Sequence, residues 1–385
     1  MKKAKILALL LAAMMLVVVT GACATASPTP SGAGAPTEGA TDGATEGEPS
    51  GDGTFELALI TDVGTIDDKS FNQGSWEGLE RYAKEHNITH KYYQPTEKSK
   101  DSYITAIEMA VEAGAKLIVT PGFLFETAIF EAQESHPDVK FVLLDGVPND
   151  GNPDFAERVF KVADNTVAVS YAEHESGFLA GYAAVREGFT SLGFMGGMAV
   201  PPVVRFGYGF LQGAEYAAAD MGLDGIDVRY HYTGNFDANP TNQALASAWY
   251  NDGVEVIFAA GGAVGNSVMT AAETADAKVI GVDIDQSGES ETVITSALKE
   301  LGNSVYDSIA MFYADEFPGG LCKVFSAENY GVGLPQDFSR FDTFAQAAYD
   351  AIFAKLKDGE VEVNDTIAED LAELGLNIVN VTKID

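Results

Sequence analysis

The sequence predicts an α/β fold with two doubly wound, Rossmann-like lobes joined by a hinge of several strands. From residue 55 onward, short runs rich in Val, Ile and Phe alternate with longer amphipathic segments, as expected when helices pack on a mainly parallel sheet. The runs form two series with similar spacing, which indicates two related halves. Glycines and polar residues cluster where the runs end, and open α/β sheets bind ligands at these strand ends.

The strand candidates define where the lobes begin and end. The first series is 55–60, 91–93, 116–120, 141–144 and 159–162, and the second is 192–195, 228–232, 254–260 and 278–282. Helices fit between them, for instance over 70–85, where Trp76, Leu79 and Ala83 share one face. A junction near 163–166 is expected to separate the lobes. The chain then crosses back after Lys299 and returns over 323–334.

The first 22 residues have the layout of a secretory signal peptide. Three lysines precede an apolar run over 6–19, which is too short to span a bilayer comfortably. The sequence Thr-Gly-Ala-Cys at 20–23 resembles a bacterial lipobox, although Thr20 stands where Leu is usual. These features predict a signal peptide over 1–22 and lipidation of Cys23. The alternative is an ordinary cleaved signal in which this cysteine is incidental.

Residues 23–53 are almost entirely Ala, Ser, Thr, Pro, Gly, Asp and Glu, a composition that predicts a disordered tether. We expect the tether to hold the folded part outside the cytoplasmic membrane, which it touches only through the lipid anchor. The folded part is expected to divide into two lobes. The N-terminal lobe comprises 54–163 and 300–323, and the C-terminal lobe comprises 164–299 and 324–385.

Charge and motif content argue against several classes of function. The chain of 385 residues has 57 acidic and 23 basic residues, a balance that disfavours nucleic acid polymers and anionic lipid. Two cysteines are too few for a disulfide scaffold or a Cys-rich zinc module. No nucleophile elbow, Walker loop or zincin motif is present, and the acidic and histidine side chains at 173–175 are expected on a solvated helix surface. We therefore predict no enzymatic activity, no metal site and no cofactor.

One loop and several shorter pieces resemble a known family. The run 62–74, Asp-Val-Gly-Thr-Ile-Asp-Asp-Lys-Ser-Phe-Asn-Gln-Gly, is similar to the signature of the basic membrane protein family, whose members are lipid-anchored substrate-binding proteins of ABC transporters and are similar to bacterial purine nucleoside receptors. Further matching pieces follow in order at 193–197, 205–210, 259–262, 279–286 and 295–299. The resemblance covers 55–385. It implies a type I periplasmic-binding-protein fold, capture of a nucleoside by closure of the hinge, and delivery to an ABC permease.

Four residues at the predicted cleft suit a nucleoside base. Phe71 and Phe236 offer aromatic faces on which a flat base stacks. Asn72 and Asp145 offer hydrogen-bonding groups to the mixed donors and acceptors of its edge. The alternatives are a core position for each phenylalanine and a helix cap for Asp145.

The resemblance implies four further residues for the ribose. Asp283 and Lys299 would pair with its hydroxyls, and Asp62 and the backbone at Gly262 would assist. The alternatives are a helix cap for Asp283 and a surface position for Lys299. Together with the base-binding residues, these complete a predicted site of eight residues.

The sequence is also compatible with ligands other than a nucleoside. A ribose-like sugar or another small polar molecule is the alternative among binding proteins, because the same two-lobed fold serves sugars. A ligand sensor is a further alternative. We expect purines rather than pyrimidines as the nucleoside class, and a monomeric protein on the outer side of the cell membrane.

Overall fold

The structure is a computed structural model that describes residues 53–62, 64–367 and 371–384. The predicted signal peptide, the lipidation site Cys23 and the tether up to residue 52 lie outside these residues. Within the part of the chain that the structure describes, no helix is both long enough and apolar enough to cross a membrane.

The strands and helices alternate along most of the chain. The strands are β1 (Leu57–Ile60), β2 (His90–Tyr93), β3 (Leu117–Pro121), β4 (Lys140–Leu144), β5 (Thr166–Tyr171), β6 (Ser191–Gly196), β7 (Ile226–Tyr232), β8 (Val256–Ala260), β9 (Lys278–Asp283), β10 (Val293–Lys299), β11 (Leu321–Phe325), β12 (Val332–Gly333) and β13 (Val379–Lys383). The helices are α1 (Phe71–His86), α2 (Lys100–Glu112), α3 (Glu126–Ser135), α4 (Glu173–Glu187), α5 (Pro201–Met221), α6 (Pro240–Asn251), α7 (Val264–Ala275), α8 (Leu301–Tyr313) and α9 (Gln346–Lys357).

The strands form two sheets, one in each lobe. The first has the order β11-β5-β4-β3-β1-β2 and is parallel throughout. The second has the order β12-β10-β9-β8-β6-β7-β13 and is parallel except for the pair of β10 with β12. The predicted α/β fold with two parallel-sheet lobes is therefore confirmed.

Both faces of the first sheet are covered by helices, which explains why β1 is apolar at every position. Leu57 and Leu59 belong to the same apolar cluster as Trp76 of α1. The intervening residues, Ala58 and Ile60, belong to a separate cluster with α2 and α3. Alternate side chains of a strand point to opposite faces, so a strand buried on both faces has no polar alternation.

The predicted strand over 159–162 is wrong. Val159 and Phe160 are exposed, and the bridge of Phe160 with Asn149 is isolated from both sheets. The strand that pairs with β4 is instead β5, which continues the first sheet. The local preference of 159–162 for extended structure was outweighed because no strand in the described part of the chain pairs with this segment.

Within the described residues, the chain passes between the lobes at three places. The first crossing follows β5, so residues 164–171 belong to the first sheet and the predicted junction near 163–166 lies one strand too early. The second follows Lys299, where α8 packs against α1 with the rings of Tyr82 and Tyr306 5.0 Å apart. The third follows Phe325, since β11 pairs along its whole length with β5. The predicted boundary at 323/324 therefore falls inside a strand.

Helices α4 and α5 pack closely enough for their backbones to touch. A Cβ atom added at Gly181 would lie 2.0 Å from the carbonyl oxygen of Phe210, and one added at Gly213 would lie 1.9 Å from that of Phe178. Such distances are far below normal contact, so only glycine permits this approach. The two helices carry the charged residues Glu173 and Arg205 to the edge of the site described next.

Candidate functional site

A cavity of about 290 Å³ lies between the lobes and is lined by residues from both. The eight residues singled out from the sequence all line it: Asp62, Phe71, Asn72, Asp145, Phe236, Gly262, Asp283 and Lys299. They converge because the carboxyl ends of parallel strands meet at one edge of each sheet. The volume is near the lower end of small-molecule pockets, which span roughly 300–1,000 Å³.

The loop between β1 and α1 is organised around Asn72. The amide nitrogen of Asn72 donates to Asp62 Oδ1 at 3.0 Å and to Asp68 Oδ2 at 2.9 Å, and its carbonyl oxygen accepts from the Asp62 backbone N–H at 3.3 Å. Both amide hydrogens are thus already donated within the protein. The structure therefore makes Asn72 a residue that positions Asp62, and it leaves no amide hydrogen for a base edge.

Asp68 caps the first turn of α1. Its carboxylate accepts hydrogen bonds from the backbone N–H groups of Ser70, Asn72 and Gln73. Burial raises the pKa of Asp68 to about 6, and these hydrogen bonds oppose the rise. The cap holds the start of α1, and with it Phe71, at the wall of the cavity.

Lys299 is the cationic centre of the site. Its Nζ lies 2.5 Å from Asp145 Oδ2 and 3.2 Å from Glu173 Oε1, and only 2% of its side chain is exposed. The same ammonium lies 5.1–5.3 Å from the ring centroids of Phe71, Tyr171 and Phe206. Ion pairs and aromatic faces together stabilise a charge that would be costly to bury alone.

The carboxylates around Lys299 differ in their protonation behaviour. Burial raises the pKa of Asp145 to about 7, although Lys299 opposes the rise, and burial likewise raises the pKa of Asp283. Burial acts in the same direction on Glu173, but Lys299 and Arg205 outweigh it and hold the pKa of Glu173 below its usual range. Asp145 Oδ1 is buried without a hydrogen-bond partner among the described residues. A ligand that donates a hydrogen bond would satisfy this atom.

The second lobe contributes Phe236 and a tight glycine turn. Phe236 packs directly on Gly197, where an added Cβ would lie 2.4 Å from the ring. Gly262 has φ +56°, a backbone conformation that glycine adopts without strain. Phe236 is half-buried, and its ring adds an aromatic surface to the cavity wall opposite the first lobe.

The two lobes are already in contact across the cavity. Ser70 Oγ donates to Asp283 Oδ2 at 2.5 Å, and Gln286 Nε2 donates to the Lys69 carbonyl oxygen at 2.6 Å. The Lys299–Asp145 pair is a third connection between the lobes. These contacts define a closed arrangement of the lobes.

Sequence reasoning missed several residues of the site, most clearly Glu173. It was expected on a solvated surface, yet it is fully buried beside Lys299. The segments that resemble the family contain three of the missed residues: Ser70 in 62–74, Arg205 in 205–210 and Gln286 in 279–286. Membership of these segments could have indicated that the three residues lie near the site. Nothing local marked Glu173, because its burial depends on the docking of distant strands. Among residues 53–62, 64–367 and 371–384, no cluster of three metal-ligating side chains occurs.

The fold and the cavity define a class of protein, the two-lobed binding proteins that enclose a small molecule between their sheets. The family model described as "ABC transporter substrate-binding protein PnrA-like" matches residues 55–367, and this chain belongs to that family. Membership implies a small-molecule ligand and a membrane permease as partner.

Curated relatives agree with this assignment. The chain is 30% identical to the ABC transporter nucleoside-binding protein BmpA of Lactococcus lactis over 327 residues, which cover 78% of this chain and 88% of the relative. It is 31% identical to basic membrane protein A1 of Borrelia garinii over 267 residues, 66% of this chain and 73% of the relative. The predicted resemblance to the basic membrane protein family is confirmed.

Solved structures show the same fold. A solute-binding protein of an ABC transporter from Aeropyrum pernix superposes with a TM-score of 0.71 at 22% identity, covering 83% of this chain and 97% of that one. A corresponding protein from Conexibacter woesei gives a TM-score of 0.64 at 23% identity, covering 81% and 99%. At these identities, the likeness concerns the fold alone.

Proposed function

We propose that this chain is the extracytoplasmic, lipid-anchored binding protein of an ABC importer and that its ligand is a nucleoside, with purines as the expected class. The observation that carries the proposal is the combination, in one cavity, of aromatic rings with charged hydrogen-bonding groups. Phe71 and Phe236 suit a flat base. Asp145, Asp283 and Lys299 suit hydroxyl groups and a polar edge. One relative is itself named a nucleoside-binding protein.

The charge of the cavity favours an uncharged ligand. Its lining includes one ammonium group, that of Lys299, which is already paired with Asp145. It also includes five carboxylates, those of Asp62, Asp68, Asp145, Asp237 and Asp283. A phosphate group would bring further negative charge into this enclosed space, where like charges repel strongly. Nucleosides should therefore bind far more tightly than their phosphorylated forms.

The proposed mechanism is capture by closure of the lobes. A ligand that contacts residues of both lobes favours the closed arrangement by the difference in its affinity for the two states. The contacts of Ser70 with Asp283 and of Gln286 with Lys69 add to the stability of that arrangement. No covalent bond is formed or broken, so the protein is proposed to act without enzymatic activity, cofactor or metal.

Isothermal titration of the purified protein tests the ligand. Inosine, guanosine, adenosine and uridine would be compared with inosine monophosphate, ribose and arabinose. We expect at least one nucleoside to bind, the monophosphate to bind much more weakly, and free ribose to lack the contribution of base stacking. Clear sugar binding with no nucleoside binding would instead support the sugar alternative.

Membrane attachment is proposed to depend on Cys23. Cells producing the full chain or Cys23→Ser would be labelled with a palmitate analogue and fractionated. We expect label and membrane association in the unaltered chain and neither in the variant. Label that persists in Cys23→Ser would contradict lipidation at this residue. Scattering of the detergent-solubilised protein would test the expected monomer.

A further inference from the structure

Glu173 is a fully buried carboxylate that does not line the cavity. Its Oε2 accepts a hydrogen bond from Arg205 Nε at 2.6 Å, and its Oε1 forms an ion pair without a hydrogen bond with Lys299 Nζ, at 3.2 Å. Arg205 is likewise outside the cavity lining, with 22% of its side chain exposed. Glu173 therefore stands between a cation at the edge of the site and the cation inside it.

The pairing of Glu173 with Arg205 affects the balance of charges around Lys299. The ammonium faces the carboxylates of Asp145, Glu173 and Asp283. A buried carboxylate that lacked its own cation would compete with Asp145 and with the ligand for Lys299. Arg205 supplies that cation to Glu173. Glu173 can then hold Lys299 in place while the positive charge of Lys299 remains directed to the site.

The backbone around Glu173 is fixed independently of the ion pairs. Ser176, one turn further along α4, has its hydroxyl oxygen 3.0 Å from the Leu298 carbonyl oxygen and 3.1 Å from the Gly333 carbonyl oxygen. Leu298 immediately precedes Lys299 in β10, and Gly333 lies in β12. These bonds hold the first turn of α4 against the end of the strand that carries Lys299, so the carboxylate and the ammonium meet without large rearrangement.

From these contacts we infer that Glu173, supported by Arg205, is a positioning residue for ligand binding and acts by holding the Lys299 ammonium at the junction of the two lobes. Glu173 makes its contribution through Lys299 and touches no ligand itself. The choice of a nucleoside as probe rests on the proposed function, whereas the role of Glu173 toward Lys299 does not.

A double-mutant cycle tests this role, with inosine as the probe in calorimetric titrations. The proteins are the unaltered chain, Glu173→Gln, Lys299→Met and the double variant. We expect Glu173→Gln to weaken binding about tenfold or more, because buried charge pairs couple strongly. In the Lys299→Met background, we expect the same change to have little further effect. An equal loss in both backgrounds would overturn the inference, since Glu173 would then act without Lys299.

The matched control is Glu175→Gln, which removes the same charge from the same helical turn. Glu175 accepts a hydrogen bond from the Ala327 backbone N–H, and glutamine retains an acceptor there. We expect this variant to bind inosine as the unaltered protein does. Urea unfolding of every variant separates loss of binding from loss of folded protein.

A ligand-free measurement separates this inference from the proposed function. Lysine labelled with ¹³C at Cε reports the environment of the Lys299 ammonium by NMR at neutral pH, with the resonance assigned from its absence in Lys299→Met. Removing the Glu173 charge should shift this resonance, because the ammonium then loses one of the carboxylates that face it. If no nucleoside binds but this shift occurs, the proposed function fails and the positioning role stands. If inosine binds and the Lys299 resonance is unaffected by Glu173→Gln, the positioning role is overturned.

Discussion

Asp145 and Asp283 occupy corresponding positions in the two lobes, each at the end of the fourth strand of its series. Both have left-handed backbone, with φ +55° and +68°. This conformation is uncommon outside glycine, although aspartate tolerates it better than most residues. Both carboxylates lie near Lys299, and burial raises the pKa of each. Because the two lobes have similar strand arrangements, equivalent strand ends place Asp145 and Asp283 near the same cation, Lys299.

The raised pKa of Asp145 predicts a stability difference that depends on pH. The pKa is about 7 in the folded protein against an ordinary value of 3.8, so the folded protein keeps this proton to higher pH than the unfolded chain. The contribution of this group to the unfolding free energy therefore decreases as pH rises from about 4 to about 7. Urea unfolding of Asp145→Asn should show a shallower decrease over this window. Asp285→Asn, at an exposed position, is the control, and a wild-type slope in Asp145→Asn would contradict the shift.

Phe71 should contribute to affinity through its ring. Base stacking on an aromatic side chain contributes about 1–3 kcal/mol by alanine substitution, or roughly 5- to 150-fold in affinity. We expect Phe71→Ala to weaken inosine binding within this range in calorimetric titrations. Phe71→Leu keeps most of the volume and removes the ring, so it separates stacking from filling of space. Unchanged affinity in both variants would indicate that no base stacks on Phe71.

At the scale of elements, the contact between α4 and α5 determines where the charged residues of the site lie. Glu173 begins α4, and Arg205 lies in the second turn of α5. Their 2.6 Å hydrogen bond requires the two helix backbones to approach as closely as Gly177, Gly181 and Gly213 allow. These glycines let Glu173 pair with Arg205, and Glu173 in turn contacts Lys299, so they contribute indirectly to the position of Lys299.

Gly181→Ala should be destabilising because its Cβ would lie 2.0 Å from the Phe210 carbonyl oxygen. Overpacking of this kind typically costs about 1–3 kcal/mol, and backbone atoms relax less easily than a flexible side chain. Urea unfolding should therefore show a clear decrease in the unfolding free energy. Gly288→Ala is the control, because nothing lies within 4 Å of a Cβ built there. Equal stability of the two variants would contradict the packing described.

At the scale of the whole molecule, the hydrogen bonds between the lobes bias the closed arrangement. The bond from Ser70 to Asp283 joins the residue that precedes α1 in the first lobe to β9 of the second, and the two residues are 213 positions apart in sequence. A hydrogen bond to a charged group contributes about 1.5–3 kcal/mol. In the open arrangement, water is expected to replace it, so the bond stabilises closure specifically.

Ser70→Ala should therefore weaken ligand binding by about tenfold or more, while the fold remains intact. Titration with inosine measures the affinity, and small-angle scattering of the ligand-free protein should show a larger radius of gyration in the variant. Ser75→Ala is the control, since the buried Ser75 hydroxyl donates within α1 to the Phe71 carbonyl oxygen. If both variants bind alike, the contact between the lobes makes no contribution to capture.

The fold was largely predictable because its signals are local. Runs of apolar residues predicted most strands of the two sheets. The exception is 159–162, where the residues favour extended structure but the segment joins neither sheet. Strand ends marked the cavity, since parallel strands bring their carboxyl ends together. Asp62 and Lys299, by contrast, were placed in one site by the resemblance to the basic membrane protein family.

The sequence by itself determined the alternation of strands and helices, the family signature at 62–74 and the residues available to the cavity, because these depend on neighbours along the chain. Only the tertiary structure decided which side chains pair. Lys299 and Asp145 are 154 positions apart, and Glu173 is buried beside Lys299, next to the backbone hydrogen bond of Ala172 with Phe325. Burial and charge pairing depend on distant segments that come together, so local patterns carry little information about them.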